Sequence, residues 1–79
     1  MTTSTSERLQ EIFKAVLQLP ADADVTRVRR LSTDKWDSLA HVSLVVGIES
    51  EFGITLDTAE SMRLTSYESA EILLEEKGL

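Results

Sequence analysis

Apolar side chains recur along the chain at three- and four-residue steps, and the steps divide it into four segments. The first is predicted as a helix from about Ser4 to Leu19, with Leu9, Ile12, Phe13, Val16 and Leu17 on one face. Ser4 and Glu7 match a capping box at its start, and Pro20 is expected to stop it because proline has no amide to donate. A polar stretch of about 16 residues follows, ADADVTRVRRLSTDKW, in which Val25, Val28 and Leu31 are the expected anchors onto a core.

The second helix is predicted to begin near Asp37 or Ser38 and to end at Phe52. Leu39, Val42, Val45, Val46, Ile48 and Phe52 are spaced for burial, and Leu44 widens the apolar face. A helix apolar around so much of its girth belongs at the centre of a bundle. Gly53 suits the left-handed residue that closes a helix, with Ile54 folding back onto the last turn. Gly47, in mid-helix, costs up to about 1 kcal/mol against alanine. Either a neighbour approaches closely there, or the glycine is merely tolerated.

Asp57 with Glu60 signals a short third helix reaching about Met62, and Thr65 with Glu68 signals a fourth running to about Lys77. Tyr67, Ala70, Leu73 and Leu74 are its inward face, and Glu68, Glu71, Glu75 and Glu76 its solvated one. The predicted fold is an all-α, small four-helix bundle: three longer helices, a short third one, and a long loop between the first two. It forms a single domain over 1–79, with a disordered N-terminus expected at 1–4.

Composition narrows what such a bundle can do. Fourteen acidic residues against eight basic ones give a net charge of −6, which disfavours nucleic acid and anionic membranes and favours partners with basic patches. Arg27, Arg29 and Arg30 form the one basic cluster, most simply a solvated loop. There is no cysteine, and a lone His41 cannot assemble a histidine metal cluster. No stretch approaches the roughly 18 apolar residues of a membrane helix. A cytoplasmic monomer is the expectation.

The stretch DKWDSLAHVSL, residues 34–44, holds the candidate chemistry. Asp37 or Ser38 can simply cap the second helix, worth about 0.5–2 kcal/mol. Asp37, Ser38 and His41 also have the composition of a hydrolase triad. However, neighbouring helical residues point about 100° apart, and no nucleophile elbow or oxyanion loop is present. A third reading is a tether: a hydroxyl at a helix tip is open to a modifying enzyme, and the helix N-terminus suits an attached phosphodiester.

Asp37-Ser38-Leu39, followed by an apolar helix ending Glu49-Ser50-Glu51-Phe52-Gly53-Ile54, closely resembles the acyl carrier protein family, and the similarity runs through nearly the whole chain. The resemblance implies that Ser38 accepts 4′-phosphopantetheine from coenzyme A through a separate, magnesium-dependent phosphopantetheinyl transferase. The thiol of that arm would then hold an acyl group as a thioester. Asp37 would help the transferase engage, while Leu39, Val42 and Val46 match positions beside the arm, where partner enzymes dock. The implied partners are an acyl-loading enzyme and a ketosynthase or acyltransferase. The chain would be their substrate and no enzyme itself.

Besides the arginines of the first loop, two features depart from the family's primary fatty acid carriers, which usually present a dense row of acids along the second helix. Here the exposed positions are expected at Ala40, His41, Ser43 and Ser50, with Glu49 and Glu51 alone keeping the charge. Each lost surface pair is worth about 0.2–1 kcal/mol. Trp36, just before Asp37-Ser38, is expected to pack across the loop and helix start, with partner contact as the alternative. These departures favour a dedicated polyketide or other specialised acyl pathway over the housekeeping carrier. An aminoacyl or peptidyl carrier of nonribosomal synthesis, and an unmodified helical interaction module, are the other readings.

Overall fold

The first helix ends before its proline. In the computed structural model, which describes residues 4–79, α1 spans Thr5–Val16. Leu17 is its cap residue, and Gln18 takes the left-handed conformation (φ 55°) usually left to glycine. The Leu19 amide then donates back to the Lys14 carbonyl at 2.9 Å, closing the helix three residues earlier than expected. At the other end Ser4 accepts from the Glu7 amide at 3.1 Å. The Glu7 carboxylate accepts from the Ser4 hydroxyl rather than from its amide, so only half of the capping box forms. Of the disordered N-terminus expected at 1–4, residues 1–3 lie outside the described residues, and Ser4 is the cap of α1.

The remaining helices are α2 (Ser38–Phe52), α3 (Thr58–Arg63) and α4 (Tyr67–Glu76). Gly53 is left-handed (φ 64°), as a helix stop requires, and both its amide and that of Ile54 donate to the Glu49 carbonyl. Asp57 and Glu60 make a complete capping box. The start of α4 lies one residue beyond expectation, capped by Ser66 with Ser69 rather than by Thr65 with Glu68.

Leu9 and Phe13 of α1 with its cap Leu17, Ala40, Leu44 and Ile48 of α2, and Tyr67, Ala70, Leu73 and Leu74 of α4 form the core, sealed by Val25, Trp36, Leu56 and Leu64 from the connections. Phe13 stands edge-on to both Trp36 (centroids 5.5 Å apart) and Tyr67 (5.4 Å). The Tyr67 hydroxyl donates to the Ser6 carbonyl and meets the Ser6 hydroxyl at 2.9 Å, so its burial leaves no polar atom unmatched. Close approach is the reason for Gly47: a β-carbon there would lie 3.2 Å from the Ile12 side chain. Helices α1 and α2 meet at that point.

The α1–α2 loop is held by backbone as well as by anchors. The Arg30 amide donates to the Thr65 carbonyl and the Tyr67 amide to the Val28 carbonyl, an isolated antiparallel bridge centred on Arg29 and Ser66. No strand forms among the described residues. Val25 is buried and Val28 partly so, as expected, but Leu31 is fully exposed on a 3₁₀ turn, Arg30–Ser32, and anchors nothing.

The inward face of α2 also differs from the expected one. It is Ala40, Leu44 and Ile48, flanked by half-buried Val45 and Phe52. Leu39, Val42 and Val46, all spaced for burial, are 77%, 58% and 57% exposed. A helix in a small bundle buries one arc only, for α2 the one packed on α1, and its second apolar arc is left in solvent. Ala40, expected outside, is inside.

Candidate functional site

The chain turns into α2 at Asp37, whose backbone is extended and whose carboxylate accepts the Ala40 amide at 2.8 Å. Asp37, rather than Ser38, is therefore the cap. Ser38 becomes the first helical residue; its side chain is exposed and its hydroxyl makes no hydrogen bond to another described residue. The amides of Ser38 and Leu39 have no preceding turn to donate to, so they stay open beside that hydroxyl. The stabilising role and the free nucleophile thus fall on adjacent residues.

His41 does not serve Ser38. Its Nδ1 accepts the Trp36 indole N–H at 3.2 Å, and its Nε2 lies 2.9 Å from the Ser61 carbonyl, so the neutral ring protonated on Nε2 satisfies both partners. The ring also stacks on Trp36 (6.2 Å, 23°). With both ring nitrogens engaged and Asp37 turned to Ala40, the three residues do not assemble as a triad. His41 instead ties the loop, α2 and α3 together.

Trp36 is 3% exposed, packed under the loop as expected and not presented at the surface as a contact for partners. Glu49 points into the fold: one carboxylate oxygen accepts the Leu56 amide at 2.8 Å. Glu51 is half-exposed and paired with Arg8 at 2.8 Å, while the Arg8 guanidinium lies over the Phe52 ring. Both acids expected to carry charge outward on α2 are thus engaged within the molecule.

Beside Ser38, Leu39, Val42 and Val46 form an apolar strip, and Met62 of α3, 73% exposed, lines the groove on the His41 side of α2. Two grooves flank α2. One of about 490 Å³ lies toward the end of α1, with Val16, Gln18, Lys35 and Ser43 among its walls. The other, of about 510 Å³, lies toward α3, between His41, Val45, Glu49 and Met62. Sequence reasoning missed Met62 and Lys35. A methionine on a six-residue helix with nothing buried was the one available hint for the first; the second had none.

A phosphodiester fits this place. It needs an accessible hydroxyl, open amides or a helix N-terminus for its charge, and a nearby surface for the rest of the arm, and all are present at Ser38. No helix among the described residues is long and apolar enough to cross a membrane.

No family model matches the chain, and no solved structure matches it. Curated relatives do. The chain is 35% identical to acyl carrier protein 3, chloroplastic, of Cuphea lanceolata over 71 residues, which cover 90% of this chain and 50% of that protein. It is 36% identical to acyl carrier protein 5, chloroplastic, of Arabidopsis thaliana, over 91% of this chain and 52% of the relative. Acyl carrier protein 1, chloroplastic, of Casuarina glauca is 35% identical over 90% and 52%. The chain spans about half the length of these relatives. With its four-helix fold and Asp37-Ser38-Leu39 turn, the chain is thus similar over about nine tenths of its own length to acyl carrier proteins.

Proposed function

We propose that the chain is an acyl carrier, with 4′-phosphopantetheine attached at Ser38. The observation that carries this reading is the division of labour at the α2 start: Asp37 caps, leaving Ser38 exposed and unbonded. In the loading step Ser38 Oγ attacks the pantetheine-side phosphorus of the diphosphate in coenzyme A. A new phosphodiester O–P bond forms, the bond to the adenosine bisphosphate leaving group breaks, and the serine proton passes to a base of the transferase. The attached arm supplies a terminal thiol that holds an acyl group as a thioester. The residues of the chain do the rest: the open Ser38 and Leu39 amides face the new anion, and Asp37 holds the turn in shape for the transferase.

The strip Leu39, Val42 and Val46 supports docking of the transferase, the acyl-loading enzyme and a ketosynthase or acyltransferase, with the chain acting as a single protomer. In this reading the chain is substrate throughout. For the pathway, the thin acidity of α2 favours a dedicated product. The relatives bear general carrier names, which support a housekeeping carrier at least as well. Their names also set the chloroplast beside the cytoplasm as a compartment.

The test is intact mass after incubation with coenzyme A, magnesium and a broad-specificity transferase. One added phosphopantetheine is expected on the wild-type chain and none on Ser38→Ala. An unchanged wild-type mass would reduce the chain to an interaction module.

A further inference from the structure

Ser38 stands on the α2 surface between Leu39, on the side of α1, and His41, on the side of α3. An arm attached there can fall toward either groove. The charges differ. The α3-side groove is walled by two carboxylates, Glu49 and Asp57, against one cation, Arg30. The α1-side groove has Lys35 against Asp37 and so balances, with one acid fewer than the other; the acids of both grooves accept backbone amides.

Four basic side chains, Arg8, Lys14, Arg63 and Lys77, pair with carboxylates, while Arg27, Arg29, Arg30 and Lys35 make no such pair among the described residues. Lys35 has no carboxylate within ion-pair distance among the described residues; its ammonium donates to the Gln18 carbonyl at 3.2 Å. That bond sets the ammonium over the groove and leaves two of its three donors free. The carbonyl it uses belongs to the left-handed residue that ends α1, so the early stop of the helix is what brings an acceptor there. The walls are then low, with Ala15, Ala40 and Ser43 among them, and the Gln18 side chain adds an amide.

We propose that the α1–α2 groove is the resting site of the phosphopantetheine arm and that Lys35 is the residue positioning its phosphodiester. The ammonium meets the phosphate as a compact point charge, and the two amides of the arm lie along Gln18 and Ser43. This rests on the carrier reading at Ser38.

Apo and loaded forms of the wild type, Lys35→Gln and Lys35→Arg are compared by amide ¹H–¹⁵N spectra, each loading being verified by intact mass. In the wild type, loading is expected to shift Ala15, Val16, Gln18 and Ser43. Lys35→Gln, loaded to the same mass, is expected to lose the shifts on α1, and Lys35→Arg to keep them. Shifts running instead to Val45, Ser61 and Met62, or confined to residues 37–39, overturn the proposal. So does a loaded Lys35→Gln indistinguishable from wild type. A wild-type chain that gains no mass overturns the carrier reading itself.

Discussion

Gln18 sits where most helices place glycine. A side chain in the left-handed region costs about 1–2 kcal/mol, and nothing in the Gln18 backbone bonding requires that side chain, since Lys35 takes the carbonyl. Gln18→Gly is therefore expected to stabilise the fold by about 0.5–1 kcal/mol after the added freedom of the unfolded chain is counted. Thermal unfolding should show a midpoint higher by roughly 2–6 °C; a lower midpoint would mean that the glutamine side chain holds the turn. Residue by residue, the sequence was most readable where one side chain has one local task. Gly53, Asp57 with Glu60, and the inward Tyr67, Ala70, Leu73 and Leu74 stand where their spacing puts them. The choice between Asp37 and Ser38 was not readable, because either can cap and the backbone turn alone decides which carries the bond. The left-handed turn at Gln18 was hidden for a similar reason: the nearest breaker in the sequence is Pro20.

Among the elements, α3 is the least anchored. None of its residues is buried. It hangs between Leu56 and Leu64 and is fastened by polar ties: His41 to the Ser61 carbonyl, Lys77 to Glu60 at 2.7 Å, and Arg63 to Glu76 through two bonds of 2.9 and 2.7 Å. The hydrogen bond from Lys77, helped by the Asp57 amide, holds Glu60 below the ordinary glutamate range. The bond from Arg63 does the same for Glu76. Carboxylates depressed in the folded state add stability that is full above the ordinary range and is lost as pH falls through their folded values. On acidification below the ordinary glutamate range, the amides of Thr58–Arg63 should gain exchange before those of Ala70–Leu74, read by NMR. Simultaneous loss would show that packing, not the ion pairs, holds α3. For α2 the element and its ends were legible in the sequence, but its inward side was not. With apolar residues around so much of the girth, spacing alone selects no arc; contact with α1 at Gly47 and Ile12 does. Leu31 misled for another reason, since no side-chain periodicity marks a loop held by backbone bonds to Thr65 and Tyr67.

At the scale of the whole molecule, the outer apolar arc of α2 is surface, and fold and docking are separable there. Val42→Asp with Val46→Asp replaces two side chains that are more than half exposed. Its effect on stability should be small, since surface substitutions of this kind usually fall within about 0.5 kcal/mol each. Loading by the transferase should slow at least tenfold, measured as the rate of mass gain. Equal rates would place docking elsewhere. Presented to fatty acid synthesis enzymes beside a housekeeping carrier, the loaded wild type separates the two pathway readings: comparable turnover supports the housekeeping role, and poor turnover the dedicated one.

The single indole of the chain lies two residues before Ser38, sealed against Phe13 and bonded to the ring of His41. A fluorophore thus sits between the long loop and the start of α2. Its emission colour tells a packed indole from a wet one with no label and no competing tryptophan, so the attachment proposed at Ser38 has a readout in a cuvette.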